Sequence, residues 1–236
     1  TNVFAHTANL GNFMEGIKEL LASDGYFVIE NHYLKKVIQN NQFDTFYHEH
    51  LRTYSLRSLK KLLNYYGMSL IDAKITSRYG GNIQAHFSKK KVGMKKNAKK
   101  ILSAELKFGL NKKRIYKNFF KKILEAKKKM DIFLNKNKNK NIVGKAFPAR
   151  ASVLINYFEN MKYNIKYIFE QPSSKKLNKF VPGTDIKILS SKKLKKTRPD
   201  YVIILAWHLF DSIKTKWVNK GLKAKYVKPL PILKIF

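Results

Sequence analysis

The chain has 236 residues, room for one large domain or two small ones, and its 44% hydrophobic and 13% aromatic content is that of a globular protein rather than a disordered one. It has no cysteine, which excludes disulfides and thiolate metal sites within the chain and agrees with a reducing, cytoplasmic location. The formal charge of +34 rests on 43 lysines and six arginines.

Specific phosphate or base recognition favours the planar guanidinium. Here the lysines are scattered over nearly every segment beside much Asn, Ile, Phe and Tyr, the signature of A/T-rich codons. The charge therefore predicts attraction for anionic ligands rather than a specific nucleic-acid site. No apolar run approaches the roughly 20 residues that span a bilayer, and the start lacks the pattern of a signal peptide, so no membrane partner is expected. The first residue is Thr1 rather than Met, which suggests a beginning inside a larger gene product.

Residues 10–21 place Leu10, Phe13, Met14, Ile17, Leu20 and Leu21 on one helical stripe. Asp24-Gly25 turns into an apolar run, Tyr26-Phe27-Val28-Ile29-Glu30, of the kind found in buried parallel strands. Ser55 is a good N-cap for a helix over 56–66, which Gly67 closes before a strand over 68–74. Gly80-Gly81 marks a turn or close approach, and residues 82–88 alternate as a strand with Ile83, Ala85 and Phe87 on one side. This order predicts the second half of a doubly wound sheet over residues 1–88.

Over residues 89–141, Ile115, Phe119, Ile123, Ala126, Met130 and Phe133 recur every three or four positions, predicting a long basic amphipathic helix. The Asn/Lys alternation at 135–141 reads as an exposed linker, so the whole stretch is expected to be a helical connector. The α/β rhythm then restarts over 142–236. Strands are expected at 142–144, 165–169 and 201–206, short ones at 224–227 and 232–236, and helices at 148–160 and 209–217. Alternation of this kind implies a parallel, Rossmann-like sheet, with ligands at the carboxyl ends of its strands, where residues 144–150 lie.

Tyr47-His48-Glu49-His50 concentrates four polar side chains in an expected loop. An extended chain puts His48 and His50 on one face, whereas a turn brings Tyr47 and His50 together. These residue types fit a polar surface loop, or a zinc site of weak i, i+2 spacing with no further ligand cluster nearby; no metal is expected in this chain. His32, His86 and His208 belong to no motif and read as ordinary polar residues.

Taken with Asn2-Val3-Phe4-Ala5-His6, Phe43-Asp44-Thr45-Phe46, Tyr54-Ser55-Leu56 and Gly80-Gly81, the Tyr-His-Glu-His element resembles the C-methyltransferases that act on nucleotide-linked keto-deoxysugars. Residues 143–157 (VGKAFPARASVLINY) are similar to that family's Gly-Tyr-Gly-Ala-Pro-Ala-Lys turn and helix. Pro182-Gly183-Thr184 and Pro199-Asp200-Tyr201 follow in the family's order. The resemblance implies the C-terminal half of a class I methyltransferase domain, the helical connector, and a C-terminal Rossmann-like domain that helps enclose the substrate. It further implies S-adenosylmethionine as methyl donor, bound mostly outside this chain but touched by Asn2. Zinc is expected solely in an N-terminal module that is absent here and would be supplied in cis or in trans.

By the same resemblance His50 is the base that deprotonates the carbon beside the ketone, with Glu49 supporting it. Tyr47 and His6 hydrogen-bond the substrate oxygens and stabilise the enolate. Gly80, Gly81, Gly144, Lys145 and Arg150 are expected to contact the nucleotide-linked sugar. Four positions depart from the family: its Gly-Tyr-Gly is Gly144-Lys145-Ala146, its lysine is Arg150, and an arginine after the glycine pair is Gln84. The alternative expectation is a non-catalytic nucleotide-sugar-binding fragment; a basic nucleic-acid-binding protein is the more distant one.

Overall fold

The computed structural model describes residues 3–236, a mixed α/β chain that divides into two compact units, Thr1–Phe119 and Phe120–Phe236. No helix among the described residues is long and apolar enough to cross a membrane.

In the first unit, α1 (Leu10–Leu20) leads into β1 (Tyr26–His32) and the short α2 (Leu34–Gln39). After an irregular stretch come α3 (Leu56–Tyr65), β2 (Ser69–Thr76), β3 (Asn82–Ser88) and α4 (Lys96–Phe108). The stripe expected on α1 forms, with Met14 buried and Leu10, Phe13 and Ile17 against the core, but Leu20 points away and is 86% exposed. Ser55 caps α3 as expected, in a reciprocal capping box with Ser58.

The expectation of a parallel strand at residues 26–30 is corrected. β1 pairs antiparallel with β3, which is also antiparallel to β2, giving the order β1-β3-β2. β3 follows β2 through a tight glycine turn, and such a turn forces reversal. Because β3 runs against both neighbours, β1 and β2 run in the same direction. Ile29, Ile83, Ala85, Phe87, Leu70 and Ala73 share the buried face, beneath Leu56, Leu59 and Leu63 of α3. On the opposite face, the buried Glu30 carboxylate accepts from Asn82 Nδ2 at 3.1 Å and Thr76 Oγ1 at 3.3 Å and pairs with Arg78 at 3.6 Å.

α4 packs on β2, so the first part of the expected connector belongs to this unit's core. Its Glu105, 2% exposed, reaches the start of α3 and accepts from the backbone N–H groups of Leu56 at 2.6 Å and Arg57 at 3.0 Å. These are among the donors that a helix N-terminus leaves without an intrahelical partner. The division between the units falls within α5 (Lys113–Lys136), whose buried Ile123, Ala126, Met130 and Phe133 follow the expected spacing.

The second unit comprises β4 (Ile142–Lys145), α6 (Arg150–Tyr157), α7 (Asn160–Asn164), β5 (Ile165–Glu170), β6 (Lys187–Ser190), β7 (Tyr201–Ile204), α8 (Phe210–Asn219), β8 (Lys225–Lys228) and β9 (Lys234–Ile235). Strand β6 was not anticipated, because four residues between lysine-rich turns carry little periodicity. The sheet order is β6-β5-β4-β7-β8-β9, parallel except for β9. In sequence ranks this is 3-2-1-4-5-6, the doubly wound order, in which ligand crevices open at the carboxyl ends of the strands near the central pair.

Candidate functional site

At the carboxyl end of β1 three histidine rings converge. His32 is the last residue of that strand, His6 closes the 3₁₀ turn Phe4–His6, and His50 sits in the loop before α3. The His50 ring centroid is 4.8 Å from that of His6 and 4.8 Å from that of His32. The loop folds back on itself through His50 N donating to the Tyr47 carbonyl at 2.8 Å, and Leu51 N donates to Ala5 O at 3.1 Å, which ties it to the turn carrying His6.

The turn at 47–50 brings Tyr47 and His50 together, as one of the two sequence alternatives required. Tyr47 Oη lies 3.2 Å from His50 Nε2, and Nδ1 lies 2.9 Å from the backbone carbonyl of Thr45. A carbonyl can only accept, so Nδ1 carries the hydrogen and Nε2 presents a lone pair to the Tyr47 hydroxyl. Nε2 is therefore the basic atom of His50. Glu49 and His48 are exposed, and the ring of His50 is oriented by Thr45 rather than by Glu49. Among the described residues, no group of three or more His, Cys, Asp or Glu is placed to hold a metal ion. Asn2 lies outside the described residues.

Gly80 and Gly81 have φ of 85° and 124°, and Tyr79 before them is also left-handed at 51°. A Cβ on Gly80 would meet Gln42 Nε2 at 2.7 Å, so the glycine permits a close approach. Asn40 and Gln42 both donate to the Gly80 carbonyl, at 2.9 and 2.7 Å, pinning the turn beside β1. Its product is the placement of Tyr79, whose ring lies 5.8 Å from that of His32. His32, read from sequence as an ordinary polar residue, is thus a member of the cluster. Its position at the carboxyl end of a strand was the available signal.

In the second unit, Gly144 lies within β4, where a Cβ would come 2.8 Å from Ile168 Cγ1; its role there is strand packing. Lys145 ends the strand, 6% exposed, and donates from Nζ to Phe169 O at 2.9 Å. Burial, and then the positive Lys216 and Lys220, push its ammonium below the ordinary lysine range, while Glu170 opposes this. Ala146 has φ of 63°, a left-handed backbone at the position where the similar family has its second glycine. Arg150, also 6% exposed, opens α6 with its guanidinium 5.0 Å from the Trp207 ring, a cation–π contact between the ends of adjacent strands β4 and β7.

The chain is 27% identical over 236 residues to the C-methyltransferase NovU of Streptomyces niveus, covering 97% of the chain and 55% of the relative. It thus spans about half the length of that curated relative. The family model described as C-methyltransferase C-terminal domain matches residues 77–231, from just before the glycine turn to just past β8. With that match across more than half of its length, the chain belongs to the C-methyltransferase C-terminal domain family.

Proposed function

We propose that this chain forms the acceptor side of an S-adenosylmethionine-dependent C-methyltransferase acting on a nucleotide-linked keto-deoxysugar, with His50 as the base. The observation that supports it is the paired restraint on His50: Thr45 O holds Nδ1–H, and Nε2 faces the hydroxyl of Tyr47.

A carbon beside a ketone becomes a nucleophile once it loses a proton. His50 Nε2 takes that proton, and the resulting imidazolium keeps its Nδ1–H on the Thr45 carbonyl. The Tyr47 hydroxyl, released from Nε2, turns its hydrogen toward the enolate oxygen, and His6 supports the same oxygen from the neighbouring turn. His32 and Tyr79 border the same space. The methyl donor supplies an electrophilic methyl group. No described residue is assigned a contact with it. The edge of β1 away from β3 carries no strand partner among the described residues, which suits one end of a larger methyltransferase sheet continued by another segment. Lys145 and Arg150 are assigned to the sugar nucleotide.

The test is hydrogen exchange in the full protein. Wild type should wash solvent deuterium into the carbon beside the keto group of the bound sugar nucleotide. His50→Asn should abolish that exchange and methyl transfer together while leaving substrate binding within a few-fold. Exchange at the wild-type rate in His50→Asn would remove the base assignment.

A further inference from the structure

The turn between β2 and β3 carries more restraint than chain reversal needs. Tyr79, Gly80 and Gly81 are left-handed in succession, at φ 51°, 85° and 124°. Glycine enters that region freely, whereas for a residue as bulky as tyrosine it is an outlier. Such a backbone persists only where its surroundings over-determine it, and residues of this kind cluster at ligand sites.

The restraints are explicit, and the buried Glu30 carboxylate is their centre. It accepts from Thr76 Oγ1 at 3.3 Å, on the strand that enters the turn. It also accepts from Asn82 Nδ2 at 3.1 Å and Gln84 Nε2 at 3.4 Å, on the strand that leaves it. Within the turn, Arg78 Nη1 lies 3.6 Å from the same carboxylate, and its guanidinium stands 6.0 Å from the Tyr79 ring. From the side of β1, Tyr33 N donates to Gly81 O at 3.2 Å, while Asn40 and Gln42 hold Gly80 O. Glu30 precedes His32 by two positions on β1, so the clamp and the histidine leave the same face of that strand.

None of this calls for an aromatic side chain at position 79. The ring is 44% exposed and adds little to the core, and glycine or asparagine would hold the same backbone with less strain. What the ring does is stand 5.8 Å from His32, whose own ring is 4.8 Å from that of His50. A tyrosine held in this way offers a flat, largely apolar surface that loses little freedom when a ligand packs on it. Arg78, the cation of the turn, is already engaged by Glu30. The turn therefore presents an aromatic face rather than a charge, which suits a sugar ring and not a diphosphate.

We infer that Tyr79 is a specificity-determining residue of the His50 site, packing its ring against the sugar ring of the acceptor, and that Glu30 is the positioning residue that holds it there through the turn. The inference rests on the proposed function for the class of acceptor, but not on His50 being the base.

Calorimetric titration of the full protein reads this contact without turnover. The probes are a keto-deoxyhexose linked to thymidine diphosphate or to uridine diphosphate, and each diphosphate without its sugar. Wild type should bind one of the sugar nucleotides about tenfold or more tighter than the matching diphosphate. Tyr79→Ala should remove most of that advantage and leave diphosphate binding unchanged, whereas Tyr79→Phe, which keeps the ring, should retain it. Glu30→Gln and the more exposed Arg78→Ala should each lose severalfold of the advantage, with thermal unfolding confirming that both remain folded. In a Tyr79→Ala background, Glu30→Gln should cost no further sugar affinity, because it acts through the ring. In turnover, Tyr79→Ala should raise KM more than it lowers kcat. A wild type without preference for the sugar nucleotide would overturn the inference. So would an undiminished preference in Tyr79→Ala, or an equal loss in Tyr79→Phe. Additive losses from Glu30→Gln and Tyr79→Ala would overturn the positioning role of Glu30. Wild-type activity in His50→Asn would remove the base assignment and leave these binding results standing.

Discussion

The carbonyl of Thr45 stands 2.9 Å from Nδ1 of His50, and this contact makes Nε2 the atom with the lone pair. Thr45 Oγ1 also lies 3.2 Å from Nδ1, but a hydroxyl can accept as well as donate, so the closer backbone carbonyl decides the tautomer. Thr45→Val should keep methyl transfer within a few-fold of wild type. Tyr47→Phe removes the hydroxyl 3.2 Å from Nε2 and should lower turnover by about 10²-fold or more with a changed pH profile. Pre-steady-state methyl transfer across pH measures both; a Tyr47→Phe profile superimposable on wild type would remove Tyr47 from the chemistry.

Ala146 holds a left-handed conformation, φ 63°, that costs an L-residue roughly 1–2 kcal/mol and glycine almost nothing. Part of that gain is lost to the greater freedom of glycine in the unfolded chain. Ala146→Gly should therefore stabilise the protein by about 0.5–1 kcal/mol in urea unfolding. A destabilised variant would mean that the alanine methyl packs favourably enough to outweigh the strain.

Glu105 ties α4 to the first turn of α3 through two backbone N–H groups. Glu105→Ala leaves those donors buried without an acceptor and should cost about 2–4 kcal/mol, whereas Glu105→Gln keeps an acceptor oxygen and should cost about half as much. Chemical denaturation of the three proteins gives the ranking. Equal losses for Ala and Gln would assign the effect to charge at the helix terminus instead.

Burial, reinforced by the negative charge of Glu105, pushes the Tyr33 hydroxyl well above the ordinary tyrosine range; burial also raises Tyr54, with nearby Arg52 opposing. Below about pH 10 both tyrosines are neutral in folded and unfolded chains, so no stability is lost through them. Above it the unfolded chain releases protons that the folded chain retains, and stability falls as pH rises. Tyr33→Phe should flatten that alkaline decline, seen as a smaller drop in Tm between pH 9 and pH 11. An identical drop in the variant would place the alkaline sensitivity elsewhere.

Much of the architecture was legible because local chemistry specified it. Ser55 and Gly67 bound α3, the alternation of Ile83, Ala85 and Phe87 defined one face of β3, and the three-four spacing from Ile123 to Phe133 set the buried stripe of α5. The direction of β1 was not legible. An apolar run shows that a strand is buried, while its pairing sense depends on the connection between other strands, here the turn that reverses β3. β6 was too short to show a period at all.

By itself the sequence determined which residue types stand together at 47–50, where the turns and helix ends fall, and, through its resemblance, the family to which the chain belongs. It could not decide which side chains meet across distant segments. His6, His32 and His50 are far apart in the chain, and they converge because the end of β1, a 3₁₀ turn and a folded-back loop share one edge of the unit. The same holds for Lys145 and Glu170, which face one cleft because parallel pairing sets the ends of β4 and β5 side by side. Local sequence carries propensity; convergence of this kind is set by long-range pairing, which the folded sheet alone supplies.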